Sequence, residues 1–132
     1  MTEKTVFAMI VDGEIPCHKI YEDDKTLAFL DINPVAPGHT LVIPKTPAKF
    51  LWDLDDGDYQ AVALTVKKVA QRLKQVLGTA YVGEMVVGTD VPHAHVHVVG
   101  FNSAAEIKHV IVRQESQADD EELAAMAAKL AF

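Results

Sequence analysis

Hydrophobic and polar positions change period several times along the chain, and each change marks an element. Val6, Phe7, Ile10 and Val11 recur at i, i+1, i+4 and i+5, which predicts a short opening helix ending at Gly13. Two runs rich in Ile, Tyr, Phe and Leu, 17–22 and 26–32, flank the polar triplet Asp23-Asp24-Lys25 and read as a hairpin. Residues 33–38 carry two prolines and a glycine and cannot continue a ladder, so they read as a loop. A third strand is expected over 39–43, stopped by Pro44 and Pro47.

The clearest periodicity runs from 58 to 77. Tyr59, Val62, Ala63, Val66, Val69, Ala70, Leu73, Val76 and Leu77 keep a 3/4 spacing and form the buried stripe of a long helix. Asp55, Asp56 and Asp58 suit its positive N-terminal end, and Gly78 is a natural stop. Two further strands are expected over 81–87 and 93–101, then a C-terminal helix over 119–130, acidic first and alanine-rich later. The sum is an α+β fold, a mainly antiparallel sheet of about five strands with one long helix and short terminal helices. No internal repeat, linker or low-complexity stretch interrupts it, and 132 residues suit one domain, 1–132.

Charge and cysteine content narrow the classes. A formal net charge of −7 argues against a nucleic-acid-coating protein, although a small phosphate ligand needs only a few local donors. A single cysteine, Cys17, cannot form an internal disulfide and fits a reducing compartment. The apolar run 6–11 is too short for a signal-peptide core, and no stretch approaches the ~20 apolar residues that span a bilayer. The expectation is a soluble, cytoplasmic protein without membrane or nucleic-acid partners.

The chemistry concentrates at Val91-Pro92-His93-Ala94-His95-Val96-His97-Val98-Val99. Side chains of a strand alternate faces, so His93, His95 and His97 are expected on one face and Ala94, Val96 and Val98 on the other. Half of the chain's six histidines would then share one surface. Three adjacent imidazoles resist being charged together, and such perturbed clusters mark sites. A metal site on the same histidines, with His39 as a further ligand, stays open beside a metal-free nucleophilic one.

These residues resemble the histidine triad, or HIT, hydrolases, whose signature alternates three histidines with apolar residues before a final apolar pair. The resemblance extends upstream through Gly13-Glu14-Ile15-Pro16, Glu22-Asp23-Asp24, Leu27-Ala28-Phe29-Leu30-Asp31-Ile32-Asn33-Pro34 and Ala36-Pro37-Gly38-His39-Thr40-Leu41-Val42-Ile43-Pro44-Lys45. It implies a small, single-domain member similar to purine nucleoside phosphoramidases, working as a homodimer joined through its long helix and sheet edge. His95 would attack the α-phosphorus and carry a nucleotidyl adduct, His97 would contact the phosphate, His93 would orient the site, and His39 would bias tautomers within the cluster. Asp31 would take the ribose hydroxyls, and Phe7, Ile10, Phe29 and Ile32 would pack on the base. Hydrolysis of dinucleoside polyphosphates, and a binding module with weak catalysis, are the rival readings.

Three departures bear on these expectations. Some relatives hold zinc with a Cys-x-x-Cys near the start, where this chain has Thr5-Val6-Phe7-Ala8, so neither a metal nor another cofactor is expected. Residues 46–50 lack the histidine that many relatives carry after the Pro-Lys step. The loop before the triad is short, Val86-Val87-Gly88-Thr89-Asp90-Val91-Pro92, so Gly88 and Thr89 are the expected phosphate contacts and Asp90 stands where a phosphate neighbour belongs. The segment 103–132 resembles the family least and receives no functional assignment.

Overall fold

A computed structural model describes residues 4–108 and 118–132. Five strands form one antiparallel sheet: β1 (Lys19–Glu22), β2 (Thr26–Leu30), β3 (Thr40–Pro44), β4 (Tyr81–Met85) and β5 (Val96–Phe101), in the order β1-β2-β3-β5-β4. Among the described residues the α-helices that accompany it include α1 (Val6–Val11), α2 (Asp56–Leu77) and α3 (Asp120–Leu130). Among the described residues no helix is long and apolar enough to cross a membrane.

The central strands are buried on both faces, which is why they read as continuous apolar runs rather than clean alternations. Register pairs Phe29 with Leu41 and Leu41 with His97 on one face, and Ala28 with Val42 and Val42 with Val96 on the other. The second face meets Val62, Val66, Val69 and Leu73 of α2 in the main core. On the first face, Leu27, Phe29, Leu41 and Ile43 pack against Phe7 of α1. Alternation along the chain therefore directs the histidines away from α2 and toward α1.

Helix ends follow the sequence closely. Asp55 caps α2 by accepting from the Asp58 amide at 2.8 Å, so the helix starts two residues before the expected 58. Gly78 closes it in the left-handed region at φ +67°. The tail is secured to the body: the Phe132 amide donates to the Ile20 carbonyl, and the Arg72 side chain donates to the carbonyls of Leu130 and Ala131.

The strands are shorter than their sequence patterns. The expected strand 17–22 begins at Lys19, and 26–32 stops at Leu30 because the Asp31 carboxylate turns back to accept from the Asn33 amide. The expected 39–43 runs instead from Thr40 through Pro44, whose missing N–H costs nothing at a strand's last residue. The expected strands 81–87 and 93–101 shrink to β4 and β5, so His93 and His95 precede the strand and only His97 lies within it. The Ala94 amide donates to the Ala48 carbonyl, so it makes its backbone hydrogen bond off the β3 ladder.

Gly38 positions the loop that delivers His39. Its φ of +80° lies in the left-handed region, and a Cβ there would come within 2.8 Å of a Leu77 methyl. Gly38→Ala should lower stability by about 1–2 kcal/mol from the backbone term alone. A denaturant midpoint equal to wild type contradicts this placement.

Candidate active site

Four histidines come together beneath α1. His39, His93, His95 and His97 are each at most 4% exposed. Rings buried so deeply meet only a few hydrogen-bond partners, and those partners assign each proton.

His95 Nδ1 lies 2.7 Å from the His93 carbonyl oxygen. A carbonyl only accepts, so Nδ1 carries the proton and Nε2 keeps its lone pair. At His39 the direction reverses: the Val35 amide donates to Nδ1 at 3.1 Å, which leaves the proton on Nε2. That nitrogen donates to His97 Nδ1 at 2.9 Å, and the proton of neutral His97 therefore sits on its Nε2. His93 Nε2 donates to the Pro44 carbonyl at 2.9 Å, while its Nδ1 faces the Thr5 hydroxyl at 3.4 Å. Backbone groups thus dictate opposite tautomers for His95 and His97, whose ring centroids are 5.1 Å apart. One presents a lone pair and its neighbour an N–H.

The two rings open onto a cleft of about 750 Å³. Its walls include Phe7, Ile10, Phe29, Asp31 and Ile32, five of the residues expected from sequence to hold a nucleoside. Phe7 also meets the His95 ring edge-on at 5.1 Å, so the wall supports the imidazole directly. Asp31 Oδ2 stands 3.6 Å from His39 Nε2. Apolar walls with a few convergent polar groups make a small-molecule site.

The remaining expected site residues lie around this cleft or behind it. His93 does not line the cleft; it lies behind, and what it presents to the site is its carbonyl. His39 sits behind His97, just before β3 rather than within it, and hydrogen-bonds within the cluster. Gly88 and Thr89 are not among the cleft residues, whereas Asp90 and Val91 are. The turn in which the His93 amide donates to the Val91 carbonyl brings residues 90 and 91 inward.

Sequence reasoning also missed the far wall. Ile15, Pro16, Cys17 and His18 line it with Asp120, whose carboxylate accepts from His18 Nε2 at 2.9 Å. Part of the unassigned C-terminal segment is therefore cleft wall; its residues 109–117 lie outside the described residues. The contact joins positions 102 apart, and no local pattern signals such a pairing.

The donor set suits a fixed hydrogen bond better than a metal. Asp31, His39 and His97 each offer an atom within 4.8 Å of the others. The two nitrogens that would converge already share a proton, and backbone donation to His39 Nδ1 opposes shifting it. At position 5 the Thr5 hydroxyl faces His93 Nδ1, a hydrogen-bond partner rather than a thiolate ligand.

Burial lowers the His93 pKa from its ordinary 6.5, against the opposing pull of the Pro44 carbonyl and with help from neighbouring His95. The unfolded chain then binds more protons than the folded one as pH falls through about 6.5 and below, so stability is lost on that side. Melting temperature should drop between about pH 7 and about pH 5, and His93→Asn should flatten the decline. An acid limb that is identical in the variant contradicts the assignment.

Comparison with known proteins bears on the family and the fold. A sequence model of the HIT domain matches residues 12–104. An uncharacterised HIT-like protein of Borreliella burgdorferi is 41% identical over 101 residues, covering 71% of this chain and 73% of its own. One from Synechococcus elongatus is 39% identical over 115 residues, covering 80% and 96%. Among solved structures, a HIT-like protein involved in cell-cycle regulation from Bartonella henselae superposes with a TM-score of 0.84 at 31% identity, covering 98% of this chain and 95% of its own. A zinc-bound histidine triad family protein from Mycobacterium smegmatis gives 0.73 at 30% identity, covering 95% and 94%. Matched over most of its length in sequence and nearly all of it in fold, the chain belongs to the HIT domain family.

Proposed function

We propose that the protein is a nucleotide-binding phosphohydrolase that cleaves nucleoside 5′-phosphoramidates, or related nucleotidyl conjugates, through a covalent adduct on His95. The observation that carries this reading is the pair of opposed tautomers: a lone pair on His95 Nε2 beside an N–H on His97, both at an apolar cleft. Neutral imidazole is a competent nucleophile near neutral pH, and a donor beside it suits the phosphoryl oxygens where charge gathers.

In this reading the His95 Nε2 lone pair attacks the α-phosphorus. The P–N bond to the leaving amine breaks, and the nitrogen departs with the bonding pair and takes a proton from solvent. Water then attacks phosphorus and gives a proton to solvent, and the P–Nε2 pair returns to His95. His97 donates to a non-bridging oxygen throughout. His93 acts through its carbonyl as a positioning residue, and His39 holds the His97 tautomer. Asp31 receives the ribose hydroxyls while Phe7, Ile10, Phe29 and Ile32 enclose the base. The protein acts as a homodimer, in keeping with the family it belongs to; exposed Leu64 on α2 and Tyr81 on edge strand β4 are consistent with an interface there.

Intact-protein mass after acid-free quenching tests the reading with adenosine 5′-phosphoramidate. Wild type should show a transient nucleotidyl adduct; His95→Ala should show none and lose at least about 10³-fold in turnover. Adenosine monophosphate binding without adduct or turnover in wild type would replace this reading with a binding module.

A further inference from the structure

Thr5, the residue before α1, uses its hydroxyl twice. The oxygen accepts from the Ala8 amide at 3.0 Å and so caps the helix, and it lies 3.4 Å from His93 Nδ1. His93 Nε2 gives its proton to the Pro44 carbonyl. Burial lowers the pKa of this ring and favours its neutral form, in which Nδ1 is a bare lone pair. Capping occupies a lone pair of the Thr5 oxygen, so the hydroxyl proton is left for His93.

The His93 ring is thereby held at both nitrogens, by the end of β3 on one side and by the start of α1 on the other. A ring fastened at both ends restrains residue 93, and the carbonyl of that same residue takes the His95 Nδ1 proton at 2.7 Å. Phe7, two residues after Thr5, stands edge-on to both imidazoles, at 6.1 Å from His93 and 5.1 Å from His95. Val6, Phe7 and Ile10 of the same helix line the cleft. One short helix therefore carries a cleft wall and a fastening for the ring behind the nucleophile.

Resting on the hydrolase reading above and deepening it, we infer that Thr5 is a positioning residue: by donating to His93 Nδ1 it steadies the carbonyl that keeps the His95 lone pair on Nε2. It acts through His93 and takes no part in the bond changes at phosphorus.

Three substitutions separate this role from the helix cap. Thr5→Ser keeps both the cap and the donor. Thr5→Gly keeps most of the capping preference without a hydroxyl, and Thr5→Val keeps the side-chain shape without either contact. Nitrogen-15 NMR of the free, imidazole-labelled protein should give Thr5→Ser the wild-type pattern. In Thr5→Gly and Thr5→Val the His93 Nδ1 resonance should move downfield as its donor is lost, and His95 should average between its two tautomers. With adenosine 5′-phosphoramidate both should lose about fivefold in kcat with KM within about twofold of wild type, as for one long hydrogen bond, while Thr5→Ser keeps full turnover. A wild-type His95 tautomer in both variants overturns the inference whatever turnover does, and so does a Thr5→Ser chain as impaired as the other two. A change confined to one of them belongs to the cap or to packing and also overturns it. Should either fail to fold, the other decides against Thr5→Ser. A wild type that hydrolyses no phosphoramidate would sink the hydrolase reading, while the NMR comparison would still decide whether Thr5 sets the His95 tautomer.

Discussion

Buried imidazoles are ambiguous until something decides which nitrogen carries the proton, and in this chain the backbone decides. The His93 carbonyl can only accept and the Val35 amide can only donate, so His95 and His39 are each left one tautomer. From His39 the assignment passes to His97 through a single nitrogen-to-nitrogen hydrogen bond. The juxtaposition of a lone pair and an N–H at one cleft rests on those contacts. A main-chain anchor is also a rigid one, since moving it would require moving a loop or a strand.

The fold supplies those anchors from distant parts of the sequence. Antiparallel register sets Leu41 beside His97, which brings the loop preceding β3 and its Val35 amide within reach of a strand more than fifty residues on. Gly38 permits the tight turn into His39, close against Leu73 and Leu77 of α2. Pro44, at the end of β3, directs its carbonyl to His93. One sheet face is closed by α2 and the other by α1, so the histidines sit in an interior dry enough to make each hydrogen bond count.

Much of this was legible in the sequence because strand alternation and helix periodicity are local. The long helix, the hairpin and the antiparallel sheet all follow from spacing. Less legible was where pairing stops. His93 and His95 continue the alternating pattern, yet they lie outside β5 because Ala94 gives its amide to Ala48 instead of a strand. Asp31 looks like a strand's last residue and is in fact the start of a turn. The contact of His18 with Asp120 was illegible, since it depends on how α3 returns across β1. Position in the loop before the triad pointed to Gly88 and Thr89, while the residues of that loop lining the cleft are Asp90 and Val91.

Nitrogen-15 NMR of imidazole-labelled protein near neutral pH reads the tautomers themselves, because long-range couplings to the ring protons report which nitrogen is protonated. His95 should appear as the Nδ1–H tautomer, and His39, His93 and His97 as Nε2–H. A His95 ring protonated at Nε2, or a His97 ring protonated at Nδ1, would be incompatible with backbone control of the cluster. Either result would remove the lone-pair and donor pairing on which the proposed chemistry rests.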